Sequence, residues 1–393
     1  MENGNQKVCI VTNYSSTGNF GALLQAYALN TYINRMGYET RTLYVKNDIP
    51  SLKQKYLDDV LHLNLRGLIR AIQKDLPGLR VRKEIQKRKG YLEKFRMSIP
   101  HTDKYISTNL NGLQDQFDVF IAGSDQIFRP NREGALVDYY WLKMVQNGAV
   151  KASYAASMGI EKLDERQEAS AREALRSFDF ISVREKPLAD YFRDITGRSD
   201  VTWCIDPVFL FDQKDWEKVS ERYPISGAYI LVYIIKGNEA LIESIRLFAR
   251  KHGYQIVTFP SMGYIKNSFE DGFGDYRIYD ATPEQFLYLM DHAAYVFTDS
   301  FHATAFSIIF HKKFFTSSAN QIAFSRIRGL LDLFGAEERA IPDVGIANGE
   351  YSLECDLDWD NVDGVMEAQR ERSHSYLTRI LTYHPAVDRR RTE

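Results

Sequence analysis

The sequence predicts an α/β protein: two Rossmann-like, doubly wound parallel-sheet domains that face each other across a cleft. Three observations predict it. Short apolar runs rich in β-branched residues alternate with helical patterns along most of the 393 residues, and such alternation implies parallel strands with right-handed crossovers. The alternation occurs twice, on either side of a stretch at about 207–227. Polar and small residues gather just after the strands, where open parallel sheets bind ligands.

The chain opens with KVCIVT, a β-branched apolar run that reads as a strand. A polar loop, a helical pattern over 21–36 and the strand ETRTLYV follow. A charged helical pattern occupies about 51–97 and reads as an insertion. FDVFIAG (117–123) and VKASYAA (150–156) are buried strands, a helix spans 163–178, and DFISVRE (179–185) is a further strand with a helix after it. VTWCIDP (201–207) closes the first half. In the second half AYILVYII (228–235), YQIVTFP (254–260), AYVFTDS (294–300) and KKFFTS (312–317) are strands. They alternate with helices at 238–252, 282–292, 302–310 and 323–334. The stretch 358–383 reads as one or two helices packing back on the first half. The expected organisation is therefore an N-terminal domain over 1–210, a C-terminal domain over 211–357 and a helical tail over 358–393.

Composition excludes several classes. Fifty Lys and Arg against 52 Asp and Glu leave a formal charge of −2, so no global basic excess draws the chain to nucleic acid. Three widely spaced cysteines, Cys9, Cys204 and Cys355, form neither a disulfide framework nor a metal pair and suit a reducing compartment. The apolar run Val8–Val11 is too short for a signal-peptide core, and no run approaches the ~20 residues of a membrane span. A cytoplasmic protein is expected. One local charge stands apart: 66–96 carries eleven basic residues against three acidic. Such a segment suits peripheral contact with an anionic membrane surface; a solvated helix pair explains it equally.

The turn TDSFHAT (298–304) places His302 in a first helical turn, where free N–H groups and the helix dipole favour an anion. A solvated His, with Asp299 or Ser300 as cap, is the plain alternative. The loop before Gly21 matches neither the dinucleotide nor the P-loop spacing. Arg184, at the end of a strand, suits a bidentate clamp on phosphate or carboxylate, or else a surface pair with Glu185. Arg326 and Arg328 could complete an anion pocket or line a solvated helix face. Asp125, in AGSDQIF, could cap a turn or bind sugar hydroxyls. The eight histidines do not pair with acids at ligand spacing, so no metal is expected.

GNFGALLQAYAL, FDVFIAGSDQIF, ASYAASMG, ISVREK, IDPVFLF, TDSFHATAFSIIF and SRIRGLLDLFG occur in that order across about 12–335. Together they resemble the polysaccharide pyruvyl transferase family. The resemblance implies a glycosyltransferase-B-like scaffold and transfer of a pyruvyl group from phosphoenolpyruvate to a sugar as a cyclic ketal, in surface polysaccharide biosynthesis. No cofactor beyond the donor substrate is implied. The acceptor would be a sugar or a lipid-linked oligosaccharide. His302 matches the family acid and Arg184 the donor clamp, with Glu185 a second candidate for hydroxyl activation. Ser300, His302, Ala303, Thr304 and Arg326 would join Arg184 in holding the donor. Asn19, Gly21, Ser124, Asp125 and Gln126 would face the acceptor.

Three positions depart from the family pattern. Ser300 stands where many members carry Arg, Ala303 where Gly is common, and Phe128 where Trp is common. The lost cation bears on donor identity unless Arg326 or Arg328 replaces it. Two other classes therefore stay open: a nucleotide-sugar-dependent glycosyltransferase on the same scaffold, and an inert carbohydrate-binding homologue.

Overall fold

The computed structural model describes residues 6–14, 18–46, 82–131, 133–145, 148–235, 239–260, 272–317, 321–341 and 356–385. Residues 51–81 of the basic segment, including Arg66, Arg70, Lys74 and Arg80, lie outside them, as do Cys355 and the last eight residues.

Strand β1 (Lys7–Val11) leads into helix α1 (Phe20–Arg35) and β2 (Glu39–Lys46). Then come α2 (Arg82–Ser98), β3 (His101–Ile106), β4 (Val119–Ala122) and β5 (Val150–Ser153). These strands form one parallel sheet in the order β3-β2-β1-β4-β5. Val8 to Val11 are all buried, as a central strand covered on both faces requires. The edge strand β3 was not expected. Its sequence HTDKYI is exposed at three of six positions and buried at one, so no apolar alternation marks it.

Helix α3 (Glu165–Arg176), β6 (Ser182–Val183), α4 (Lys186–Thr196), β7 (Thr202–Trp203) and α5 (Gln213–Val219) follow. The strands expected at 179–185 and 201–207 shrink to two residues each; they form a two-stranded ladder with one another, and single bridges Ala152–Phe180 and Ala156–Val183 tie the first of them to the β5 segment. Serine side chains intercept the ladder. Ser153 Oγ donates to the Ser182 carbonyl and accepts from the Ser182 amide, and Ala155 N donates to Ser182 Oγ. Ala155 also sits at φ 49°, so β5 cannot run on to 156. Side chains that compete for backbone groups shorten regular structure in this way.

The second sheet begins with β8 (Tyr229–Tyr233), α6 (Glu239–His252), β9 (Gln255–Thr258) and β10 (Tyr276–Arg277). It continues through α7 (Pro283–Asp291), β11 (Tyr295–Thr298), α8 (Phe301–Ile309), β12 (Lys313–Ser317), α9 (Gln321–Phe334) and β13 (Ala340–Ile341). Its order is β10-β9-β8-β11-β12-β13, again parallel throughout. Helix α10 (Trp359–Leu381) is a single helix, with Asp358 accepting from the Asn361 amide at its start. It touches both halves of the chain: Tyr376 OH donates to the Ser153 carbonyl, and Asp363 Oδ1 lies 2.9 Å from His311 Nε2.

Between the two sheets lies a buried hub. Val208 to Phe211 and Trp216 join α1 and α8 in one apolar cluster, and Trp216 Nε1 donates to the Val208 carbonyl. The described part of the basic segment turns partly inward. Arg88 is buried, lies 4.4 Å over the Phe20 ring and donates to the Pro260 carbonyl. Arg96 is buried and donates to the Tyr14 carbonyl. Lys83, Lys87, Lys89 and Lys94 remain exposed. Among the described residues no helix is long and apolar enough to cross a membrane.

Candidate active site

The turn from β11 into α8 is built by hydroxyls. Thr298 Oγ1 donates to the Tyr233 carbonyl and accepts from the Ser300 amide. Asp299 Oδ1 accepts from the Ile235 amide, and Ser300, at the cap position, makes no side-chain cap. Neither residue therefore caps α8 with its side chain as the plain reading of the turn had it. Every residue of α8 is buried, so His302 is an interior group, 7% exposed, and not a solvated one. Ala303 is fully buried. Thr304 spends both its amide and its hydroxyl on the Ser300 carbonyl.

The His302 ring rests against the first turn of α1. A Cβ on Gly21 would stand 2.3 Å from His302 Cγ and 2.4 Å from Nδ1, so only glycine lets the two helix starts approach. Asn19 caps α1, accepting from the Gly21 amide at 2.9 Å.

Arg184 emerges from β6. Its Nη1 donates to Asp206 Oδ2 at 2.8 Å and its Nε to Glu185 Oε1 at 3.0 Å. Its Cζ lies 4.0 Å from the Phe301 ring centroid, a cation–π contact. The surface-pair reading of Arg184 fails, because the side chain is buried. Glu185 Oε1 also accepts from Ser157 Oγ, so that oxygen serves the scaffold.

Asp206 is the residue on which these groups converge. Oδ2 takes Arg184 Nη1, then Ser124 Oγ at 2.9 Å, and stands 3.6 Å from His302 Nε2. The last distance is an ionic contact, too long for a hydrogen bond. Oδ1 accepts from the Val208 amide. Burial pushes the Asp206 carboxyl up, but His302 and Arg184 outweigh it and hold the carboxyl well below the usual carboxylate range. Arg184 stays charged likewise: burial opposes its charge, and Glu185, Asp206 and Asp125 overcome it.

Three donors are left over. Among the described residues, His302 Nε2 and Arg184 Nη2 are buried without a hydrogen-bond partner, and so is Arg326 Nε. Buried polar groups almost always have partners, so three such atoms are unusual. Burial and then the like charge of Arg184 lower the Arg326 pKa, against Glu185 and Asp125. Arg326 thus lies within electrostatic reach of Arg184. Arg328, the other candidate, is exposed and stacks on Phe324.

The expected acceptor residues separate into two kinds. Ser124 is buried and bound to Asp206. Asp125 sits at φ 74° with Oδ2 accepting from Asn13 Nδ2, and Gln126 Oε1 accepts from Arg129. Strained non-glycine residues concentrate at functional sites, and Asp125 is such a residue. Sequence reasoning placed Asp206 only within VTWCIDP and the IDPVFLF motif and missed its role. It also missed Phe301 beneath the guanidinium. The proline after Asp206 and the histidine after Phe301 were the only local signals.

The family model for polysaccharide pyruvyl transferase matches residues 19–319, which include every residue of the site except Arg326. The chain belongs to the polysaccharide pyruvyl transferase family. Among curated proteins none matches it. Solved structures resemble this pyruvyl transferase family member in fold. The S. aureus MnaA–UDP co-structure has a TM-score of 0.54 at 11% identity, covering 97% of this chain and 99% of its own. UDP-GlcNAc 2-epimerase from Methanocaldococcus jannaschii gives 0.52 at 11% identity, over 96% and 99%. UGT89C1 from Arabidopsis thaliana gives 0.50 at 11%, over 96% and 98%. The fold is of the glycosyltransferase-B type, with its two parallel sheets of five and six strands.

Proposed function

We propose that this pyruvyl transferase family member moves the pyruvyl group of phosphoenolpyruvate onto two hydroxyls of a sugar, as a ketal. One observation carries the reading. His302 Nε2 and Arg184 Nη1 face the same buried carboxylate oxygen; Nε2, at 3.6 Å, makes no hydrogen bond, and Arg184 keeps a second nitrogen, Nη2, buried and unpartnered. A small anion with a basic carbon beside it fits such a pair. Arg326 supplies the second guanidinium that Ser300 does not.

In this reading His302 Nε2 gives its proton to the methylene carbon of the enol, which becomes the methyl group. An oxocarbenium centre forms at C2, and the first sugar hydroxyl adds there and loses its proton to the site. Phosphate leaves with cleavage of the C2–O bond, and the second hydroxyl closes the ring. Two protons leave the hydroxyls; one replaces the proton spent on carbon, and the other ends on phosphate. Asp206 holds the imidazolium and Arg184 in register. Arg184 and Arg326 bind the carboxylate and phosphate. Glu185, or Asp125 at its strained turn, receives a hydroxyl proton. The donor lies on the α8 and α9 side and the acceptor toward α1 and the Gly123–Gln126 turn. The acceptor is free, nucleotide-linked or lipid-linked, the last reached at the membrane surface through the exposed lysines of α2.

Purified protein given phosphoenolpyruvate and an acceptor sugar should release phosphate and yield a pyruvate ketal by mass spectrometry. His302→Ala should lower turnover about 10²- to 10⁴-fold, the range for a lost general acid. Its phosphoenolpyruvate-induced thermal shift should persist; full activity in this variant would reject the assignment. Arg326→Gln should raise the KM for phosphoenolpyruvate about tenfold or more, as for a lost charge-assisted hydrogen bond, with a smaller change in kcat. The missing cation at Ser300 favours one second reading, a nucleotide-sugar donor. Stabilisation by a UDP-sugar but not by phosphoenolpyruvate, each at a hundredfold excess over its Kd (about 2.7 kcal/mol expected for the true donor), would select it.

A further inference from the structure

A cleft of about 510 Å³ opens just past the carboxyl end of β3, outside the cluster around Asp206. We propose that it is a second saccharide subsite, which holds a neutral sugar unit of the acceptor other than the one modified. The proposal rests on the reading above that the acceptor is a saccharide.

Four observations support it. The first is position. Ligands of parallel sheets bind beyond the carboxyl ends of strands, and this cleft lies at that end of the N-terminal sheet. Its far wall is Asp138, Tyr139 and Met144, from the connection that leaves the Gly123–Gln126 turn and returns as β5. Tyr139 packs on Tyr140 with ring centroids 4.4 Å apart. Burial, then Tyr139, then the charge of Asp125 push the Tyr140 phenol well above its ordinary value. A tyrosine pair thus links the cleft to the strained aspartate of the site.

The second observation is size. Small-ligand sites run to about 300–1,000 Å³, and this cleft falls within that range.

The third is a set of unused polar groups. Among the described residues, the side chains of Ser107, Thr108, Asn111 and Gln114 make no hydrogen bond within the chain. The polar groups around Asp206 are mostly committed, so the contrast is sharp. Two hydroxyls and two amides supply donors and acceptors in both directions, and the half-buried Tyr139 ring supplies a flat apolar face. A pyranose needs both, because its C–H face packs on an aromatic ring while its hydroxyls exchange hydrogen bonds.

The fourth is charge. Among the described lining residues Asp138 is the one carboxylate, and Lys143 pairs with it at 3.0 Å. Among the described residues that line the cleft there is no Lys or Arg, which a phosphate or diphosphate would want. A neutral sugar therefore fits better than a phosphorylated or nucleotide group.

The test is an array of neutral oligosaccharides of two to four units, read for binding without phosphoenolpyruvate. Wild-type protein should bind at least one member. Tyr139→Ala, and separately the double variant Asn111→Ala/Gln114→Ala on the surface loop, should each weaken that binding about tenfold while melting at the wild-type temperature. Hydrogen exchange at 107–114 and 138–144 should slow with the bound oligosaccharide. With an active acceptor, the variants should raise KM for the oligosaccharide but leave KM for its single terminal sugar unchanged. Absence of any array binding, or binding equal in wild type and both variants, overturns the proposal, as does displacement by UDP. Array binding lost in the variants without any pyruvyl transfer would uphold the subsite and reject the reaction instead.

Discussion

Asp206→Asn should lower the melting temperature by about 10 °C. Asp206 and Arg184 form a pair whose side chains are 0% and 3% exposed. Replacing Asp206 leaves the buried Arg184 with Glu185 as its ion-pair partner, and breaking a buried pair costs about 3–5 kcal/mol. In a domain of this size each kcal/mol is worth roughly 2–4 °C. His302 loses its ionic neighbour in the same step, so turnover should fall as well. The double variant Asp206→Asn/Arg184→Met should recover much of the stability but none of the activity, because the two side chains act as a unit. Additive losses in that double variant would show that the pair is not coupled.

The same carboxylate sets the acid limb of stability. Its native pKa is depressed. The unfolded state therefore binds protons more readily, and stability contributed by Asp206 is complete above the ordinary carboxyl pKa of about 4. It is lost as pH falls below that value toward the depressed native one. Wild-type protein should thus lose stability steeply below about pH 4, and Asp206→Asn, already short of this contribution, should show a flatter acid limb in urea melts. Parallel acid limbs in the two proteins would contradict the depressed carboxyl.

Gly21→Ala should reduce turnover about 100-fold. The new methyl would stand 2.3 Å from His302 Cγ and 2.4 Å from its Cβ. These are the root of the ring and not a flexible tip, so either the imidazole or the start of α1 must move. A misplacement of about 1 Å costs on the order of 10²-fold in rate, and overpacking costs about 1–3 kcal/mol of stability. Gly90→Ala in α2 is the control. No atom lies within 4 Å of its would-be Cβ, so this change should be neutral or stabilise by up to about 1 kcal/mol. Equal effects at the two positions would mean that His302 does not depend on Gly21.

Much of the fold was legible from periodicity. The central strands β1, β4, β8 and β11 are short apolar runs, buried at nearly every position. The helices between them carry local stop and start signals, such as the capping boxes at Asp164 and Thr282. The misses are of another kind. β3 lacks apolar alternation because it is an edge, and β6 is short where the Ser153 and Ser182 hydroxyls take up backbone groups. Arg88 and Arg96 read as part of a charged stripe, yet each finds a carbonyl on a distant segment. Charge patterning along a helix cannot register such partners.

What the sequence by itself determined was the alternation of strands and helices, the two parallel sheets, and which turns face the carboxyl ends. Each depends on the spacing of apolar residues over a few positions, and a buried face imposes that spacing locally. Tertiary structure alone decided that Asp206 would stand between Arg184 and His302, and that a missing Cβ at Gly21 would admit the imidazole. Those contacts join segments from both sheets. A buried charge is stabilised only by whichever opposite charge packing brings to it, and no local pattern encodes that choice.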